Sequence, residues 1–179
     1  MLHNDRVKEA QANVGRYLEE GLLRLTAKDS NALGVLTGNA KESLEVAELL
    51  DSQNRSSLWT IVCSYYAMYY TANAVLLSLG YKVGEKIAHK VTADALIVYV
   101  RKKLSQNLLE SFETAREEAL PLAGVRADAL IETFDQERAK RGALQYSTTE
   151  VAKHAKAQTS LKRAKEFVDA LRRMITYPT

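Results

Sequence analysis

The chain has 179 residues, 46% of them hydrophobic and 26% charged, with 25 Lys or Arg against 22 Asp or Glu for a formal charge of +3. That length predicts one domain that buries a core without staples. A single cysteine, Cys63, excludes an intramolecular disulfide, and the opening Met-Leu-His-Asn-Asp-Arg lacks the apolar stretch of a secretory signal, which predicts a cytoplasmic protein.

Only Pro121 and Pro178 carry the strongest helix breaker, and Ala, Leu, Glu, Lys and Arg dominate, so the expected class is all-α: an up-and-down helical bundle with no convincing strand. A first, N-terminal helix is predicted from about Asp5 to Leu25, with Val7, Ala10, Val14, Tyr17, Leu18, Leu22 and Leu25 on one side. Asp29 to Asn39, containing Gly34 and Gly38, reads as a connection. Asn39 can cap a second helix that buries Leu44, Val46, Ala47, Leu49 and Leu50.

The central helix is predicted from about Arg55 to Leu79, ended by Gly80 in the left-handed conformation. From Ser56 to Tyr81 it holds no charged residue. Leu58, Val62, Tyr65, Tyr69, Ala72, Leu76 and Leu79 recur at alternating steps of four and three, the spacing of an apolar seam. Ser57, Thr60, Ser64, Ala67, Thr71, Ala74 and Ser78 form a parallel seam of small residues along which another helix can approach closely. A third face carries Trp59, Tyr66, Tyr70 and Leu77. A bilayer span needs about 20 predominantly apolar residues, but this run is loaded with Ser, Thr, Asn73 and Tyr hydroxyls, and the buried core helix is the preferred reading.

After the loop Tyr81 to Ala88 a helix is expected through Leu104, and Ser105 caps another toward Ala119. Pro121 and Gly124 should interrupt before a helix from about Arg126 to Lys140. Ser147-Thr148-Thr149-Glu150 fits a capping box and starts the last helix. No repeat or linker divides the chain, so residues 1–179 read as a single domain.

Charge is unevenly placed. From Arg138 to Thr179 ten Lys or Arg stand against three acids, so the rest of the chain is net negative. Such a segment can attract phosphates, with Arg138, Lys140 and Arg141 ahead of the capped helix and Lys153, Lys156, Lys162, Arg163 and Lys165 along it; a solvated helix surface is the alternative. No phosphate-cradling Gly-rich loop, Cys-x-x-Cys or nucleophile elbow occurs, and His3, His89 and His154 lack metal-ligand spacing, so neither metal nor cofactor is expected.

Three pieces of text resemble a known family. Tyr65-Tyr66-Ala67 leads into Leu76-Leu77-Ser78-Leu79-Gly80-Tyr81; His89-Lys90 follows in the next connection; and Arg141 to Tyr146 precedes Ser147 to Glu150 and a helix holding Ala164 to Val168. In this order they resemble the HEPN domain, over about Lys41 to Leu96 and Phe134 to Val168, with residues 1–38 outside the match. The resemblance implies a HEPN-like bundle of about five core helices, commonly a homodimer, that binds RNA or a nucleotide. Active relatives are metal-independent endoribonucleases whose Arg and His, four to six residues apart, form a site across the dimer. HEPN-like proteins are also often paired with a small nucleotidyltransferase in a toxin-antitoxin system, which makes such an enzyme a candidate partner.

This chain departs from the active pattern, because Arg141 has no His at that distance and Tyr146 stands there instead. The candidate catalytic residues are therefore Arg141, Tyr146 and a displaced His89, and the candidate RNA or nucleotide contacts are Arg138, Lys140, Arg141, Lys86 and Lys90. Arg141 can hold a phosphate or pair with Asp135 or Glu137. Tyr146 can stack on a base or pack at the helix junction. His89 can bind ligand beside Lys86 and Lys90, or serve as a hydrogen-bonding residue at a helix start. Tyr65 and Tyr69 read as core, whereas Tyr66 and Tyr70 share a face suited to an interface or pocket.

Overall fold

The helix α3, Ser57–Ser78, is the axis of the protein. Ser56 starts it: its backbone is extended and its side chain accepts a hydrogen bond from the Trp59 amide at 3.3 Å. Gly80 ends it at φ 88°, the left-handed conformation expected of it. Thr60, Ser64, Ala67, Thr71, Ala74 and Ser78 are all buried, so the small-residue seam lies inside the bundle. Buried hydroxyls on it bond back to the helix, Thr71 donating to the Ala67 carbonyl and Ser78 to that of Val75, each at 2.8 Å.

The computed structural model describes residues 4–27, 29–137 and 150–175, with side chains at 4–27, 29–124 and 154–175. Around α3 stand α2 (Ser30–Ser52), α4 (Ala88–Tyr99), α5 (Gln106–Glu137) and α6 (Glu150–Arg172), while α1 (Asn4–Glu19) packs on α4. The fold is an all-α helical bundle. The closest partner of α3 is α2, whose buried residues Leu33, Ala40 and Ala47 recur every seven positions. Two of those three are methyl-sized, which lets the backbones approach. On the other side, α6 closes the core through Phe167, stacked on Phe112 of α5 at 5.3 Å between ring centroids. Among the described residues no helix is long and apolar enough to cross a membrane.

Several elements differ from the sequence expectation, each for a local reason. The first helix stops at Glu19 rather than Leu25, because Gly21 turns the chain at φ 70°. Leu23–Leu25 then forms a strand, β1, antiparallel to β2 (Tyr81–Val83), with Arg24 opposite Lys82. Strands of three residues are too short to leave an alternating pattern. Asp29 to Asn39 is not a connection: Asp29 accepts from the Ala32 amide at 2.9 Å and caps α2 from Ser30 onward. Gly34 and Gly38 are tolerated because the buried face of this helix is carried by other positions.

Farther along, α4 stops at Tyr99 and a 3-10 turn, Arg101–Lys103, replaces its expected end at Leu104. Pro121 does not break α5, which runs on to Glu137. Both Pro121 and Glu117, whose carbonyl loses its partner, are exposed, so water can satisfy that carbonyl. The capping box at Ser147-Thr148-Thr149 lies outside the described residues.

Candidate functional site

The β1–β2 pair and the first turn of α4 set the position of His89. Asn73 of α3 donates to the Thr92 hydroxyl at 3.2 Å, and Thr92 donates to the Ala88 carbonyl at 2.8 Å, which fixes the start of α4 against α3. Val83 and Gly84 bring the chain there, Gly84 donating to the Leu22 carbonyl at 2.8 Å. A Cβ on Gly84 would stand 3.2 Å from that same carbonyl oxygen, so the close approach favours glycine.

His89 is half-buried, and its Nδ1 shares a hydrogen bond of 2.8 Å with the Tyr65 hydroxyl. Its ring lies among three tyrosines, 4.3 Å from Tyr69, 5.6 Å from Tyr65 and 5.8 Å from Tyr66 between centroids. Burial holds the imidazole below its ordinary pKa, and the charge of Arg116 pushes the same way. Burial likewise pushes the Tyr65 hydroxyl far above its usual range, so it is neutral. With Nδ1 engaged, Nε2 is the nitrogen left for a ligand or a proton.

A groove of about 470 Å3 opens beside this histidine, between α1, α4 and α5. From α4 and its entry come Ile87, His89 and Lys90; from α5, Arg116 and Leu120; from α1, Arg6 and Glu9. Arg116 Nη1 is buried and has no hydrogen-bond partner among the described residues. Lys90 is exposed and in no ion pair among the described residues. Arg6 differs, since its guanidinium is held 2.7 Å from both Asp94 and Glu113. Asp94, fully buried, also accepts from Tyr17 at 2.9 Å and Asn13 at 3.1 Å. Arg6 is therefore a structural cation that ties α1 to α4 and α5, and the two cations left for a ligand are Lys90 and Arg116.

Ile87 adds a further mark. It precedes α4 at φ 45°, left-handed, where a β-branched side chain is rare and the strain is roughly 1–2 kcal/mol. It is 53% exposed, so little burial offsets that cost. The first bonds of α4 run from the Lys90 and Val91 amides to the Ile87 carbonyl. The amides of Ala88 and His89 lie ahead of that ladder, at the positive end of the helix.

The sequence candidates fare differently. His89 and Lys90 line the groove, whereas Lys86 is exposed outside it. Arg138, Lys140, Arg141 and Tyr146 lie outside the described residues. Tyr65 is core as expected, yet its hydroxyl also holds His89, a role that the helical pattern did not reveal. Arg116 was missed altogether: flanked by Glu113, Glu117 and Glu118, it looks like an ordinary member of a charged helix. The basic surface of α6 is also less free than its composition implied. Lys156 and Arg163 lie 3.4 and 3.7 Å from Glu118, and Lys165 lies 2.9 Å from Glu48.

No protein-family model matches the chain, and no curated protein matches it.

Proposed function

We propose that this helical bundle is a HEPN-like protein that binds RNA or a nucleotide. One observation carries the reading beyond the sequence resemblance: Arg116, with a buried and unpartnered Nη1, faces the same groove as Lys90 and His89. A guanidinium nitrogen buried without an acceptor is costly, and a ligand oxygen would complete it. Phosphate is the common anion that uses Arg, Lys and helix-terminal amides together. The basic text at Arg138, Lys140 and Arg141 offers a second, sequence-level contact region.

Fluorescence anisotropy of a short single-stranded RNA, read across a salt series, tests this. Affinity should fall steeply with salt, and undetectable or salt-insensitive binding of both the RNA and a nucleoside monophosphate overturns the reading. Comparing Arg116→Ala with the triple substitution of Arg138, Lys140 and Arg141 by Ala assigns the contact region.

A second reading, a metal-independent endoribonuclease, is favoured by a different aspect of the groove. His89 is neutral and held by Tyr65, so its Nε2 can exchange a proton with a ribose 2′-hydroxyl or a leaving oxygen, while Arg116 offsets charge on the phosphate. Incubation of RNA with the pure protein in EDTA decides it. Cleavage that disappears in His89→Gln supports catalysis; intact RNA rejects it.

A further inference from the structure

We infer that the groove recognises a terminal phosphate, a phosphomonoester on a single nucleotide or on an RNA end, rather than the internal backbone of a strand. The inference rests on the phosphate-binding reading above and assigns its ligand class. Size is the first ground: about 470 Å3 is the scale of one nucleotide.

Charge distribution is the second. The side built by α4 and α5 presents Lys90 and Arg116, two positive charges beside His89, which matches a dianion. The side built by α1 presents Glu9, exposed and 3.8 Å from an Arg6 that Asp94 and Glu113 already neutralise. A strand continuing across the groove would bring its next phosphate against that carboxylate, where like charges repel. A nucleotide ending in the groove avoids the clash, with its phosphate at Arg116 and its hydroxyl-bearing sugar toward Glu9.

The left-handed Ile87 is the third ground. Strained backbone that burial does not compensate clusters at ligand clamps, and this residue sets the exposed edge of the groove directly before the α4 amides.

The test compares one short RNA prepared with a phosphate or a hydroxyl at its 5′ end, and likewise at its 3′ end, together with a nucleoside monophosphate and its parent nucleoside as competitors. The phosphorylated form should bind about tenfold or more tightly at one end, and the monophosphate should compete where the nucleoside does not. Arg116→Ala should remove the difference between phosphate and hydroxyl ends, and the exposed Lys90→Ala should shrink it without altering the fold. Glu9→Gln should raise affinity for the hydroxyl-ended strand. RNA binding that ignores the end group overturns the terminal-phosphate inference and leaves the RNA-binding reading standing. Absence of binding by every RNA and nucleotide overturns both.

Discussion

The Tyr65 hydroxyl and His89 Nδ1 share a 2.8 Å hydrogen bond that joins the most buried face of the central helix to the rim of the groove. Tyr65 is fully buried and its ring packs on Phe112 at 5.9 Å between centroids, so the hydroxyl end, not the ring, serves the histidine. Tyr65→Phe should cost about 1 kcal/mol in urea denaturation, the net value of one neutral hydrogen bond. Its ring packing should survive, and NMR should show the His89 ring nitrogens redistributed between tautomers. An unchanged His89 spectrum would contradict the coupling.

Stability should depend on pH through the same histidine. Burial and Arg116 depress the folded-state pKa of His89 below its ordinary 6.5, so the unfolded chain takes up its proton first as pH falls. The contribution is fully present above 6.5, is lost as pH drops from there toward the folded value, and is flat below it. Denaturation midpoints measured on wild type and His89→Gln should converge at acid pH and separate toward neutrality. A parallel offset across the series would rule His89 out as the group responsible.

Asp94 is the more critical carboxylate for folding. It is fully buried and holds Arg6, Tyr17 and Asn13 of α1. Burial, with the hydrogen bond to Asp94 beside it, pushes the Tyr17 pKa up to about 12. Asp94→Ala leaves the Arg6 charge and the Tyr17 hydroxyl without that partner, and should cost about 3–5 kcal/mol in chemical denaturation. A loss under 1 kcal/mol would mean that water replaces the carboxylate.

Relief of the Ile87 conformation should be measurable. Ile87→Gly removes the left-handed penalty of a β-branched residue at an exposed position, for an expected gain of about 1 kcal/mol after the added backbone entropy. Thermal unfolding of the two proteins decides the sign.

The close pairing of α2 with α3 predicts an opposite kind of failure. Ala47 is fully buried on α2, facing the bundle. Ala47→Leu should destabilise by about 1–3 kcal/mol through overpacking. The exposed Val46→Leu on the same helix should be close to neutral.

Much of the scaffold is legible in the sequence, for reasons that lie in particular residues. The uncharged run around Tyr65 announces a helix buried on several sides, and Gly80 marks its end. Local breakers misled where tertiary packing outweighed them: Gly34 and Gly38 sit within a helix held by Leu33, Ala40 and Ala47, and Pro121 lies on an exposed side of α5. The groove was only half legible. His89 and Lys90 stand beside a family-like motif, but Arg6 and Arg116 meet them from distant positions, and nothing in an acidic stretch of helix marks its one arginine as having a buried guanidinium nitrogen.

The ion cluster of Arg6, Asp94 and Glu113 also bears on where this molecule can be cut. The family-like text begins near Lys41, which invites trimming everything before it as an appendage. Yet, among the described residues, residues 4–27 supply every side chain bonded to the Asp94 carboxylate, one strand of the only sheet, and one wall of the groove. A shortened chain would keep the recognisable portion and forfeit the carboxylate's partners, so the smallest working unit is longer than its resemblance suggests.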